Sequence, residues 1–199
     1  MVNAVDELAL IQAAQRGNID AFNALVETHQ RHAYNLAYRI LGETHAAADA
    51  TQEAFISAFN HVGQYRGGSF RGWLMRIVTN ACYDEQRRRK RRPEASLDAL
   101  TADGEAALQL ASSSDDPEAL AQRQALSQAI QQCLNGLSEE QRVIAILCDI
   151  QGYDYTEASE IARTPLGTVK SRLSRARQAL RECLQGIGEL LPVEFRRGD

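Results

Sequence analysis

No run of apolar residues in this 199-residue chain approaches the ~20 needed to span a bilayer. The acidic, polar stretch Met1 to Glu7 lacks the pattern of a secretory leader. These absences exclude membrane insertion, and the expected location is the cytoplasm. Cysteines are few and far apart: Cys82, Cys133, Cys148 and Cys183, three of them within apolar helical patterns. That spacing predicts buried free thiols rather than disulfides or a zinc site. The histidines His29, His32, His45 and His61 include one i, i+3 pair but no neighbouring cysteine pattern, so no metal site is expected. No carboxylate pair, nucleophile–base set or phosphate loop stands out, which argues against an enzyme and leaves no catalytic residue or cofactor to assign. With only four prolines, no strand-like alternation and no internal repeat, the chain is expected to be all-α.

What the chain does hold is segregated charge. Its net charge of −4 hides a block from Gln64 to Arg92 with nine basic and two acidic residues. The next block, Pro93 to Glu118, has seven acidic residues and no basic one, and Arg163 to Cys183 has six basic against one acidic. Two basic patches bracketing an acidic strip suit separate nucleic-acid contacts joined by a tether. The strip is rich in Ala, Ser and Asp, which predicts a flexible linker. The expected organisation is two small helical domains, 1–92 and 118–199, joined by an acidic linker at 93–117, with the linker leaving their relative placement free.

The segment from Thr164 to Arg181 has the order of a second helix in a helix-turn-helix. Thr164 can cap it, and Pro165 sits where a first turn tolerates proline. Val169, Leu173, Ala176, Leu180 and Leu184 recur on one side. At roughly a hundred degrees per residue, Thr168, Ser171, Ser174, Arg175 and Gln178 point away from that stripe, with Lys170, Arg172 and Arg177 on its flanks. Arginine, serine and threonine are residue types with which a helix in the major groove reads base edges. The partner helix is expected at Tyr155 to Ala162, after a segment in which Ser138 and Gln141 match a capping box.

The first domain reads as four helices: Asp6 to Arg16, Ile19 to Gly42, His45 to Gln64 and Phe70 to Arg92. In the fourth, Phe70, Trp73, Leu74, Ile77 and Ala81 share a face, while Arg76, Asn80, Tyr83 and Arg87 form a second stripe. Cations, an amide and a ring together suit single-stranded nucleic acid. In the alternative reading, Trp73 and Tyr83 are core and the basic run is solvated surface.

Four collinear strings, DAFNALVETHQ from Asp20, DATQEAFISAF from Asp49, YRGGSFRGWLMRIVTNACYDEQRRR from Tyr65 and the Thr164 stretch, resemble the extracytoplasmic-function (group 4) sigma factors of bacterial RNA polymerase. The resemblance implies a non-catalytic initiation factor that binds core RNA polymerase and promoter DNA, both as duplex and as melted non-template strand, with an anti-sigma factor as a further partner. It implies that Asp49, Gln52, Glu53, Phe55 and Phe59 contact polymerase. It places Arg76, Asn80, Tyr83, Asp84, Arg87 and Arg88 at the minus-ten element, where a base is extruded at a cost of a few kcal/mol. It assigns Thr168, Lys170, Ser171, Arg172, Ser174, Arg175 and Arg177 to the minus-thirty-five duplex. Ala158 and Arg163 depart from the family pattern, which usually has a larger aliphatic residue and a turn glycine there. A stand-alone helix-turn-helix regulator remains the alternative, and it predicts tight duplex binding without polymerase.

Overall fold

The computed structural model describes residues 4–91 and 117–186, with side chains for 6–91 and 122–186. The expected acidic linker, apart from its last residue, and the tail from residue 187 onward lie outside the described residues. The described residues are all-α, in two helical clusters. Helices α1 (Ala4–Gln15), α2 (Ile19–Leu41), α3 (Thr44–His61) and α4 (Phe70–Arg91) form the first cluster, and a single 3-10 turn, Val62–Gln64, follows α3. Helices α5 (Pro117–Asn135), α6 (Glu139–Ala145), α7 (Tyr155–Ala162) and α8 (Leu166–Gly186) form the second, and α6 runs on as a wider π-turn over Ile146–Ile150.

Local chemistry sets these boundaries. The Asn18 side chain accepts the amide of Ala21 at 3.0 Å to start α2. Gly42 ends it at φ +75°, a left-handed conformation that favours glycine. A complete capping box opens α7, with Asp154 accepting from Thr156 and Glu157 and the Glu157 carboxylate accepting from the Asp154 amide. At Ser138 only one arm of the expected box forms, the acceptance from Gln141 at 3.4 Å. Thr164 does not cap α8 as expected. Its hydroxyl turns back to donate to the oxygen of Ala162, and the first α8 turn is closed by the amides of Thr168 and Val169 on Pro165.

The face of α4 that enters the core is rotated from the expected one. Phe70 and Leu74 are buried, but Met75, Val78, Thr79 and Cys82 join them, and Trp73, Ile77 and Ala81 are only partly covered. On α3 small residues do the packing, with Ala47, Ala50, Ala54 and Ala58 buried, while Phe55 is half-buried and Phe59 exposed.

The sequence leaves the relative placement of the two clusters open, and in this structure they are packed together. Carbonyls in the last turn of α2 lack helical partners, and the second cluster supplies donors to two of them. Arg142 donates to the oxygen of Ile40 at 2.8 Å and Gln131 to that of Arg39 at 3.2 Å. Arg39 returns a bond to Gln131 at 3.2 Å and to Ser127 at 3.3 Å. Gly42 lets Asn135 approach, since a Cβ there would lie 2.8 Å from the Asn135 amide oxygen. Lys90 pairs with Glu139 at 2.8 Å, and Arg71 bonds Gln151 while lying over the Tyr153 ring. One hydrophobic core runs through both clusters.

The cysteines also differ in part from expectation. Cys82 is buried and Cys148 half-buried, both free, but Cys133 of α5 and Cys183 of α8 form a disulfide with their Cα atoms 5.7 Å apart. Fifty residues separate the pair, and nothing in either helix's own periodicity announces that α5 lies against α8.

Candidate nucleic-acid interface

Three helical faces carry the candidate residues. On α8, Val169, Leu173 and Ala176 are fully buried against α6 and α7, and burial of a side chain such as Leu173 stabilises by about 1.5–3 kcal/mol. This anchoring turns Lys170, Ser171, Ser174 and Arg175 to solvent, with Thr168 and Arg172 at the edge. Ser171 bonds back to the oxygen of Thr168 at 3.0 Å, and Arg172 donates to the Thr164 hydroxyl at 3.3 Å. Arg177 is engaged within the fold by both oxygens of Asp149, at 2.6 and 3.1 Å. Hydrogen bonding to Asp149 raises its guanidinium pKa above the ordinary value. The remaining side chains form a polar, basic, outward surface with the donors needed for a duplex groove.

The turn that sets α8 against α7 passes through Arg163 at φ +49°. Among the described residues it is the only non-glycine with positive φ, in the place where glycine is usual for such a helix end. The loop is closed by the Thr164 amide on the Ser159 oxygen at 3.0 Å and by the Ser159 hydroxyl on the Thr164 oxygen at 2.6 Å. Ala158 is fully buried on α7, so the small side chain at this position permits close helix packing.

On α4 the structure brings Arg76, Asn80 and Asp84 together along a cleft of about 450 Å³ that Trp73, Ile77, Ala81 and, from α3, Glu53 and Ser57 also line. Trp73 thus belongs to both settings that the sequence left open, packing against Tyr65 and Phe70 while forming a cleft wall. Tyr83 does not join the cleft. It is half-buried, and burial, followed by the field of Glu140, pushes its phenol up to about 12. Arg87 and Arg88 are exposed but paired, Arg87 with Asp84 at 2.9 Å and Arg88 with Glu85 at 2.6 Å and Glu53 at 3.7 Å.

The second cluster overlies part of this face. Arg163 of the turn lines the Asn80 cleft, and a neighbouring cleft places Arg76 opposite Glu157, Glu160 and Ile161 of α7. Two carboxylates thus stand near a candidate phosphate-binding arginine.

On α3, Asp49, Gln52, Glu53 and Phe59 lie along one exposed edge, and Phe55 is turned half inward. Ile56, which sequence reasoning passed over, completes that edge at 56% exposure. Its three-residue spacing from Glu53 and Phe59 was the available signal. Phe59 is steadied by an edge-on contact with Phe22, ring centres 5.1 Å apart.

Among the described residues no group of three metal-binding side chains occurs, and no helix is long and apolar enough to cross a membrane.

Comparison with known proteins finds the pattern of sigma-70 region 2 over residues 25–92 and that of sigma-70 region 4 over residues 127–180. The chain is 39% identical over 164 residues to the ECF RNA polymerase sigma factor SigE of Mycolicibacterium smegmatis, covering 82% of this chain and 62% of that one. It is 36% identical over 181 residues to SigW of Bacillus subtilis, covering 89% and 96%. Among solved structures it resembles the sigma factor RpoE in complex with the anti-sigma factor NepR from Bartonella quintana, with TM-score 0.64, 25% identity and coverage of 84% and 98%. CnrH in complex with the cytosolic domain of CnrY is similar at TM-score 0.62 and 25% identity, covering 89% and 96%.

Proposed function

Because the chain belongs to the extracytoplasmic-function group of bacterial RNA polymerase sigma factors, which recognise promoter elements and engage polymerase, we propose that three helical faces divide this work. The exposed edge of α3, Asp49, Gln52, Glu53, Ile56 and Phe59, binds core polymerase, with Phe55 behind it. The α4 cleft takes the melted minus-ten strand, with Asn80 as the base-binding amide, Arg76 and Arg88 as phosphate contacts and Asp84 on the rim. The outward face of α8 reads the minus-thirty-five duplex through Lys170, Ser171, Ser174 and Arg175.

The observation that carries this reading is the exposure of that α8 face, from Lys170 to Arg175, above a fully buried Val169–Leu173–Ala176 stripe. An incidental basic helix would not need a capped partner helix and a tight turn to fix its orientation. The packed arrangement of the two clusters sets Glu139, Glu140 and Arg172 beside the Tyr83 flank of α4 and Glu157 and Glu160 near Arg76. Promoter engagement therefore requires the second cluster to move off α4. The likeness to a sigma factor held by an anti-sigma factor supports an inhibitory protein partner here as well.

The test is transcription by core polymerase reconstituted with this protein on promoters whose upstream and downstream elements are scrambled one at a time. Loss with either scrambled element supports the division of labour, and transcription that ignores both contradicts it.

A further inference from the structure

The bridge between α5 and α8 takes no part in the contacts proposed above, and its two ends differ in exposure. Cys133 is buried at 4% exposure, whereas Cys183 faces solvent on the last turns of α8. Beyond Ala176 no residue of α8 is fully buried: Leu180 and Leu184 are covered only in part. The bridge is therefore the one covalent tie on a stretch of helix that the core holds weakly. The other two thiols are poor competitors for oxidation. Burial and then Glu85 push the Cys82 thiol up to about 12, and burial and then Asp149 raise that of Cys148.

We propose that Cys133 and Cys183 form a thiol-oxidation site through which low-molecular-weight disulfides, of the oxidised-glutathione type, set the stability of the carboxy-terminal half. Starting from two thiols, the exposed Cys183 thiolate attacks one sulfur of the small disulfide. A bond forms to Cys183 Sγ and the other sulfur leaves as a thiolate. Cys133 then attacks Cys183 Sγ and expels the second thiolate. The two cysteines lose two electrons, the small disulfide gains them, and the two cysteine protons end on the two released thiols. Reduction follows the reverse path, and an entering thiol must strike Cys183 because Cys133 is covered.

Cross-linking across fifty residues removes freedom from the unfolded chain, so the oxidised half is the more stable one. Cys183 lies about two turns beyond Arg175, so the bridge supports the outward face without obstructing it. The functional consequence, stronger use of the upstream element after oxidation, rests on the reading of α8 as the duplex-reading helix.

The test uses the full chain with core polymerase. The reduced protein is treated with oxidised glutathione, and the bridge is identified by the loss of two hydrogens in mass and by the linked peptides. Thermal unfolding is then followed, with transcription from a promoter recovered by selection and from its upstream-scrambled version, at a temperature between the two unfolding midpoints. Oxidation is expected to raise the midpoint by roughly 10 °C and to increase several-fold the preference for the intact upstream element. Cys183→Ser should behave as the reduced protein in either condition. Failure of the bridge to form, or a bridge that leaves the midpoint unmoved, overturns the proposal. A midpoint that rises while the upstream element has no influence in either state upholds the oxidation site and overturns the reading of α8.

Discussion

Arg142 on α6 donates to the main-chain oxygen of Ile40 on α2 at 2.8 Å, across 102 positions of sequence. Its other terminal nitrogen donates to the oxygens of Asn135 at 2.8 Å and Leu137 at 3.3 Å. Burial lowers its guanidinium pKa, with Glu139 opposing the shift. One side chain thus satisfies the end of α2 and the α5–α6 turn together. Arg142→Ala leaves these carbonyls without that donor and is expected to destabilise the chain by about 2 kcal/mol. Urea unfolding measures this, and an unchanged midpoint would show that the packing of the two clusters does not depend on the clasp.

Lys170→Ala and Arg175→Ala remove exposed donors without touching the buried stripe of α8. Each is expected to weaken use of the minus-thirty-five element by about 1–3 kcal/mol if it meets a base edge, with no change in thermal unfolding. Transcription from promoters with and without the upstream element reads the effect. Equal loss on both promoters would place these residues outside duplex recognition.

Asn80→Ala empties the amide position in the α4 cleft. The expected result is a lower yield of open complex and a weaker preference for the correct minus-ten strand, with polymerase binding intact. Permanganate reactivity of unpaired thymines reports the opening directly, and a normal pattern would rule out Asn80 as the base-binding amide.

Arg163 holds a left-handed backbone conformation that disfavours side chains by roughly 1–2 kcal/mol. Arg163→Gly relieves this strain but adds freedom to the unfolded chain, a loss of roughly 0.4–1 kcal/mol. The net expectation is a variant equal to or slightly more stable than the original. A clear fall in the unfolding midpoint would show that the arginine side chain contributes through its place beside the Asn80 cleft.

Tyr83 gives a pH signature. Its phenol is pushed up to about 12 in the folded protein by burial and then by Glu140, against about 10 in the unfolded chain. The unfolded state therefore releases this proton first, and the stability that the neutral phenol contributes is present below about pH 10 and lost as pH rises towards 12. Tyr83→Phe should flatten the fall in stability over that window. An unaltered alkaline profile would mean that Tyr83 is not covered by the second cluster in solution.

Much of the architecture is legible in sequence because it is local. The glycine that ends α2, the three-and-four spacing of Val169, Leu173 and Ala176, and the span Tyr155–Ala162 of α7 all follow from neighbouring residues. The α4 register departs from its apolar pattern because Trp73 and Ile77 are apolar yet form a cleft wall, whereas Thr79 and Glu85 are polar yet buried. Thr79 is satisfied by the oxygen of Met75 at 2.8 Å, and Glu85 by Arg88 and Arg89. Hydropathy alone sees neither compensation. The Arg142–Ile40 clasp and the Cys133–Cys183 bridge join helices far apart in sequence, and no periodicity within one helix encodes its neighbour. For the candidate site, the α8 face could be read from helical angle alone, while the covering of Arg76 and Tyr83 required knowing where the second cluster sits.

The most direct measurement is run-off transcription from a promoter library by bacterial core polymerase with and without this protein, with sequencing of the transcript starts. The account predicts new starts that share two upstream elements, one near minus ten and one near minus thirty-five. No new starts, together with tight binding to duplex DNA in the absence of polymerase, would contradict it.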